Sequence, residues 1–154
     1  MRTIKFRGRH LCGQWYYGNL IVRETDSPVP ETPQAYKCVM IGDVEDGSAE
    51  EVEEDTIGQF TGLKDCNGND ININEGDILR SPSGNIVAVE FGYKEHIVKH
   101  GWPNITDSFA CYGWIARNVK KGITDFFDNE FAAGEVIGNI HDNPELLKGG
   151  EKWL

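Results

Sequence analysis

No stretch of this 154-residue chain approaches the roughly 18–20 consecutive apolar residues that cross a bilayer as a helix. The opening MRTIKFRGRH carries charge but no apolar segment, so no secretory signal is predicted. The expected setting is the cytoplasm, with no membrane partner. Cysteine is sparse: Cys12, Cys38, Cys66 and Cys111 lie far apart and form no CxxC pair, which argues against a zinc ribbon. Reduced thiols are expected in that compartment, and no cysteine has an evident histidine partner. Neither GxxxxGK[ST] nor GxGxxG occurs, and Ser81, Ser83 and Ser108 lie in no GxSxG elbow. There is no internal repeat and no long amphipathic helix. The sequence therefore predicts no enzyme, no cofactor and no metal.

Apolar residues make up 39% and charged residues 26% of the chain, proportions of a globular protein with one ordinary core. Eighteen glycines point to many turns. The net charge of −10 is mostly local. Eight acids fall between Asp43 and Asp55 with no base among them; the other 17 acids face 15 bases, a net of −2. By contrast Arg2, Lys5, Arg7, Arg9 and Arg23 all precede the first acid, Glu24.

The hydrophobic period is that of strands. Ile4-Lys5-Phe6-Arg7 alternates, which predicts Ile4 and Phe6 inward and Lys5 and Arg7 outward. Gln14 to Val22 is aromatic and β-branched, and RHLCG between the two runs reads as a hairpin turn. Three prolines in Asp26–Gln34 predict a loop. Further strands are predicted at Ala35–Ile41, Gln59–Thr61, from Ile78, at Ile86–Phe91, His96–His100, Ala110–Ala116 and Glu135–Ile140. Asn67-Gly68 predicts a tight hairpin, because both residues tolerate positive φ. Asn74–Asp77 and SPSGN predict further turns, and GWPNITD a loop. Short helical turns are predicted near 49–54 and 143–147, the latter capped by Asp142-Asn143 with Pro144 in its first turn.

Three separated motifs resemble the YopX-like family of phage and prophage proteins. They are IKFRG (Ile4–Gly8) with QWYYGNL (Gln14–Leu20); TIGQFTGLKDCNGNDI (Thr56–Ile71) running on to EGDIL (Glu75–Leu79); and VIGNIHDNPELL (Val136–Leu147). Between hairpin and EGD this chain carries about two more residues than the family pattern, a shift that keeps strand parity. The resemblance implies a small, β-rich, self-associating protein of phage or prophage origin, working in a bacterial host cell. It carries no catalytic residues across.

The predicted fold is mainly β (a β-rich α+β chain): a small SH3-like or otherwise bent barrel over about 58–140. N-terminal strands 2–41 would pack on it, an acidic loop would span 43–55, and 148–154 would be a mobile tail. Residues 1–147 would form a single domain.

Several residue sets could bear function. Asp65–Asp70 superficially matches a calcium loop, but Asp70 and Gly76 stand where glycine and a bidentate glutamate are needed, so a hairpin turn is the expectation. His96 and His100 are expected about 13 Å apart on a strand, too far to share a metal. Glu75 and Asp77 flank a turn, where Asp caps backbone amides. The candidate interaction surface is basic Lys5, Arg7 and Arg9, and acidic Glu50, Glu51, Glu53, Glu54 and Asp55. The basic strand could meet the acidic segment, within a subunit or across an interface. The leading functional reading is a non-catalytic oligomeric structural or protein-interaction module, its partner a second copy or a host or phage protein. One alternative is a nucleic-acid-binding barrel using Lys5, Arg7 and Arg9 beside Trp15–Tyr17, disfavoured by the net charge. The other is an acidic mimic occupying a basic host protein.

Overall fold

A computed structural model describes residues 3–25, 36–43, 45–66, 71–99, 106–118, 121–127 and 129–148. The chain is mainly β and divides into two compact units, Met1–Gly62 and Leu63–Leu154.

In the first unit the alternating N-terminal segment and the aromatic run form the expected hairpin. β1 (Phe6–Arg9) pairs antiparallel with β2 (Trp15–Thr25), in a register that sets Arg7 opposite Tyr17 and Arg9 opposite Trp15. β2 pairs with β3 (Tyr36–Gly42), and β3 with β4 (Ala49–Glu51). β1 also pairs with β5 (Gly58–Lys64), giving the order β4-β3-β2-β1-β5; β6 (Asn72–Asn74) is a short strand of the second unit. Val39, Ile41 and Val52 are the buried core of this unit, with Phe6, Tyr16, Leu20 and Ile57 packed against them.

Strand parity in β1 is as expected, but the environments are not. Phe6 is half-buried on the core cluster, yet Ile4 is 61% exposed and Arg7 only 5% exposed. Arg7 is buried because its guanidinium carbon lies 4.8 Å from the centre of the Trp15 ring, so the face expected to meet solvent carries its own cover. The helical turn expected near 49–54 is also replaced. Ala49–Glu51 is strand, and a 3-10 turn occupies Glu54–Thr56. In a strand the adjacent Glu50 and Glu51 project to opposite faces, whereas a helix would set Glu50 beside Glu53 and Glu54 on one face.

The second unit is a five-stranded antiparallel sheet in the order β10-β9-β8-β7-β11. Its strands are β7 (Asp77–Arg80), β8 (Ile86–Lys99), β9 (Thr106–Asn118), β10 (Ile123–Phe126) and β11 (Glu135–Asn139). β10 and β11 are its edges, so it is barrel-like without being closed. A helical turn α1 (Asn129–Ala132) buries Phe131 in a core with Ile73, Leu79, Val87, Val89 and Ala116. The expected 3-10 turn occupies Pro144–Leu147. Asn143 does not cap it; its Oδ1 instead accepts the Asn139 N–H at 3.3 Å.

Two strand limits differ from expectation. β8 runs unbroken from Ile86 to Lys99, and β9 begins at Thr106 within the expected GWPNITD loop. β10 and α1 were not anticipated. The Asp26–Gln34 loop, Asn67–Asp70, His100 and residues 149–154 lie outside the described residues. The Asp65 N–H donates to the Ile71 carbonyl at 2.9 Å.

Candidate functional site

Of the three candidate bases, Lys5, just before β1, is exposed, and on β1 itself Arg7 is buried and Arg9 half-buried. Arg9 is tied to the acidic segment. Its Nε donates to Glu53 Oε2 at 3.0 Å, and its carbonyl accepts the Glu53 N–H at 2.9 Å. Thr56 completes the knot: its Oγ1 accepts the Arg9 N–H at 2.9 Å and donates to the Glu53 carbonyl at 2.7 Å. Basic strand and acidic segment therefore meet within one chain, through Arg9 and Glu53. Both side chains remain 26–31% exposed, so the ion pair itself contributes only about 0.5 kcal/mol.

The remaining acids are dispersed. Glu54 pairs with Lys37 in an exposed bridge. Glu50, on β4, adds to the partial burial that raises the pKa of Tyr16. Partial burial likewise pushes up the Cys38 thiol, with Glu51 adding to the effect. Asp55 is exposed. Lys5 borders a groove with Ile4, Tyr17, Gly18, Asn19, Asp43 and Glu45, whose acids outnumber its single base.

Elsewhere Asp77 has a structural role. Asp77 is 2% exposed, and its Oδ2 accepts the Asn74 N–H at 2.7 Å, holding the turn whose Gly76 has φ of +82°. Among the described residues no group of three or more His, Cys, Asp or Glu is placed to hold a metal ion. None of the four cysteines is in a disulfide.

Two features escaped the sequence reading. The first is a histidine beside a cysteine: His10 Nδ1 lies 3.0 Å from Cys12 Sγ in the turn between β1 and β2. The second is the β8–β9 hairpin. One of its faces starts in the core at Val89 opposite Ala116 and continues outward as rungs: Phe91 with Trp114, Tyr93 with Tyr112, Ile97 with Ser108. The Phe91 and Trp114 rings meet edge-on at 5.1 Å, and the tyrosine rings lie 5.3 Å apart. Phe91, Tyr93, Ile97 and Tyr112 are 52%, 53%, 54% and 76% exposed. Alternate apolar positions at 91, 93 and 97, and at 112 and 114, carried this signal in sequence.

The hairpin also bends. Phe126 pairs with Ile115 on β9, six residues from Phe109, or about 20 Å along a flat strand. Yet the Phe109 and Phe126 rings stack with centroids 5.5 Å apart, and Lys94 Nζ reaches the Thr124 carbonyl. The strands therefore curl toward that face, and the aromatic rungs lie on the other.

No curated protein matches this chain. A family model described as YopX protein matches residues 5–148, nearly the whole sequence. The chain therefore belongs to the YopX protein family.

Proposed function

We propose that this is a non-catalytic structural or protein-interaction module of phage or prophage origin, acting in the bacterial cytoplasm by binding further copies of itself. The aromatic face of the β8–β9 hairpin carries this reading. Contiguous exposed apolar surface on a soluble fold marks an interaction site, because it is costly to leave in water. The hairpin has two open edges as well. Among the described residues no other strand pairs with β8 from Glu90 to Lys99 or with β9 from Thr106 to Gly113.

Its charges favour a second copy as the occupant. Glu95, Ile97 and Lys99 are exposed and share one face with the aromatic rungs. Two hairpins packed antiparallel about Ile97 set each Glu95 opposite the Lys99 of the other copy, as a two-fold interface requires. Nucleic acid fits less well. Of Lys5, Arg7 and Arg9 only Lys5 is exposed, and the net charge of −10 repels phosphates.

Light scattering on the eluting protein tests this. An oligomer is expected at low and high salt, and Tyr93→Ser with Tyr112→Ser should shift it toward monomer. A monomer at both salts and at high concentration overturns the reading.

A further inference from the structure

The turn between β1 and β2 brings an imidazole and a thiol together and fixes how they share a proton. The His10 N–H donates to the Gln14 carbonyl, and the Gly13 N–H to the His10 carbonyl, both at 2.8 Å. Gly13 sits at φ of +89°, a conformation glycine adopts at little cost. Inside this frame the Cys12 N–H points at His10 Nδ1 at 3.1 Å. An amide N–H only donates, so Nδ1 is an acceptor and the neutral ring carries its proton on Nε2. The Cys12 sulfur, 3.0 Å from that same Nδ1, then has one role there: its S–H donates. A base is thus in contact with the thiol proton, which is the arrangement that activates a cysteine nucleophile.

The surroundings select for charge. His10 borders an open groove of about 250 Å³ together with Leu11, Glu51, Val52 and Glu53. Glu53 is committed to Arg9, and Tyr16 lies edge-on to the imidazole, with ring centroids 6.3 Å apart. With Glu53 engaged by Arg9, the Glu51 carboxylate on this rim favours a cationic reagent over an anionic one. Cys12 itself is exposed, so a reagent can reach its sulfur.

We propose that Cys12 and His10 form a reactive thiol site that takes small, amine-bearing disulfides by thiol–disulfide exchange. Cys12 Sγ attacks one sulfur of the disulfide as His10 Nδ1 accepts the thiol proton. The reagent's S–S bond breaks, a bond from Cys12 Sγ to the attacked sulfur forms, and the departing thiolate takes the proton back from His10. The disulfide is the sole oxidant, and one small thiol is released per Cys12 modified.

The test treats the full chain with cystamine or with oxidised glutathione near neutral pH, and follows each cysteine by intact mass and peptide mapping. Cys111 is also exposed and serves as the internal reference. Cys12 should react at least tenfold faster than Cys111, and faster with cystamine than with glutathione disulfide. His10→Asn retains an acceptor for the Cys12 N–H but no base. It should bring Cys12 down to the Cys111 rate, leaving Cys111 and the thermal unfolding midpoint unchanged. Equal rates at the two cysteines, a His10→Asn variant as fast as the parent, or a preference for the anionic disulfide would each overturn the proposal.

Discussion

Arg9 and Glu53, 44 residues apart, are joined twice, by side chain at 3.0 Å and by backbone at 2.9 Å. The backbone bond and the buried Thr56 hydroxyl hold this junction more firmly than the ion pair does. Thr56 is 2% exposed and its Oγ1 is engaged as both acceptor and donor. Thr56→Val keeps the shape but leaves the Arg9 N–H unsatisfied, a loss of roughly 1–3 kcal/mol. Glu53→Gln should cost under about 1 kcal/mol. Urea unfolding of the two variants should rank them in that order; a larger loss for Glu53→Gln would reverse the assignment.

Asp77 organises the turn that leads into β7. A carboxylate accepting a backbone N–H inside the fold is a strong, charge-assisted contact, and here it spans 2.7 Å to Asn74. Asp77→Ala should lower stability by roughly 2 kcal/mol, since the buried amide loses its acceptor. Asp77→Asn keeps an oxygen in place and should fall between the two. Equal midpoints for Asp77→Ala and the parent would show that the turn holds without this bond.

Two glycines make opposite predictions. A methyl at Gly18 would run into the Gly42 carbonyl oxygen of the neighbouring strand, and backbone cannot swing aside. Gly18→Ala should therefore cost roughly 1–3 kcal/mol through overpacking. A Cβ at Gly113 meets nothing within 4 Å. Gly113→Ala should be neutral or slightly stabilising, because alanine loses less backbone freedom on folding. Thermal unfolding of both variants is a direct comparison.

What was legible in the sequence was local. The Phe6/Arg7 alternation, the RHLCG turn and the Pro144 helical start all depend on neighbours a few residues away. What surrounds each face does not: Arg7 is buried by Trp15 across a strand pair, and that cover appears only once the register is set. The Arg9–Glu53 junction was foreseeable as a charge pairing, with the sequence leaving open whether it forms within one chain or between two. The join between the strands expected at Ile86–Phe91 and His96–His100 was hidden because Gly92-Tyr93-Lys94-Glu95 mixes glycine and charge with an aromatic. Only pairing with β9 makes it extended, and with it the aromatic face. His10 and Cys12 meet because Gly13 adopts positive φ, a torsion that alternation patterns do not encode.

Stability should fall in mild alkali, and two side chains account for a definable part of the fall. Tyr16 and Cys38 both have pKa values raised above their ordinary 10.0 and 9.0, in each case mainly by partial burial. Nearby acids add to this: Glu50 acts on Tyr16, and Glu51 on Cys38. A raised pKa means that the folded state holds the proton more tightly than the unfolded one. The associated stability is therefore fully present below the unfolded values and is lost as pH rises through the folded ones. From pH 7 to about 8 the urea midpoint should be flat with respect to these groups; from about 9 to 11 it should decline. Tyr16→Phe and Cys38→Ser each remove one ionisation, so each should make that decline shallower while leaving its acid side unchanged. A double variant whose alkaline slope matches the parent would show that neither group ionises differently in the fold.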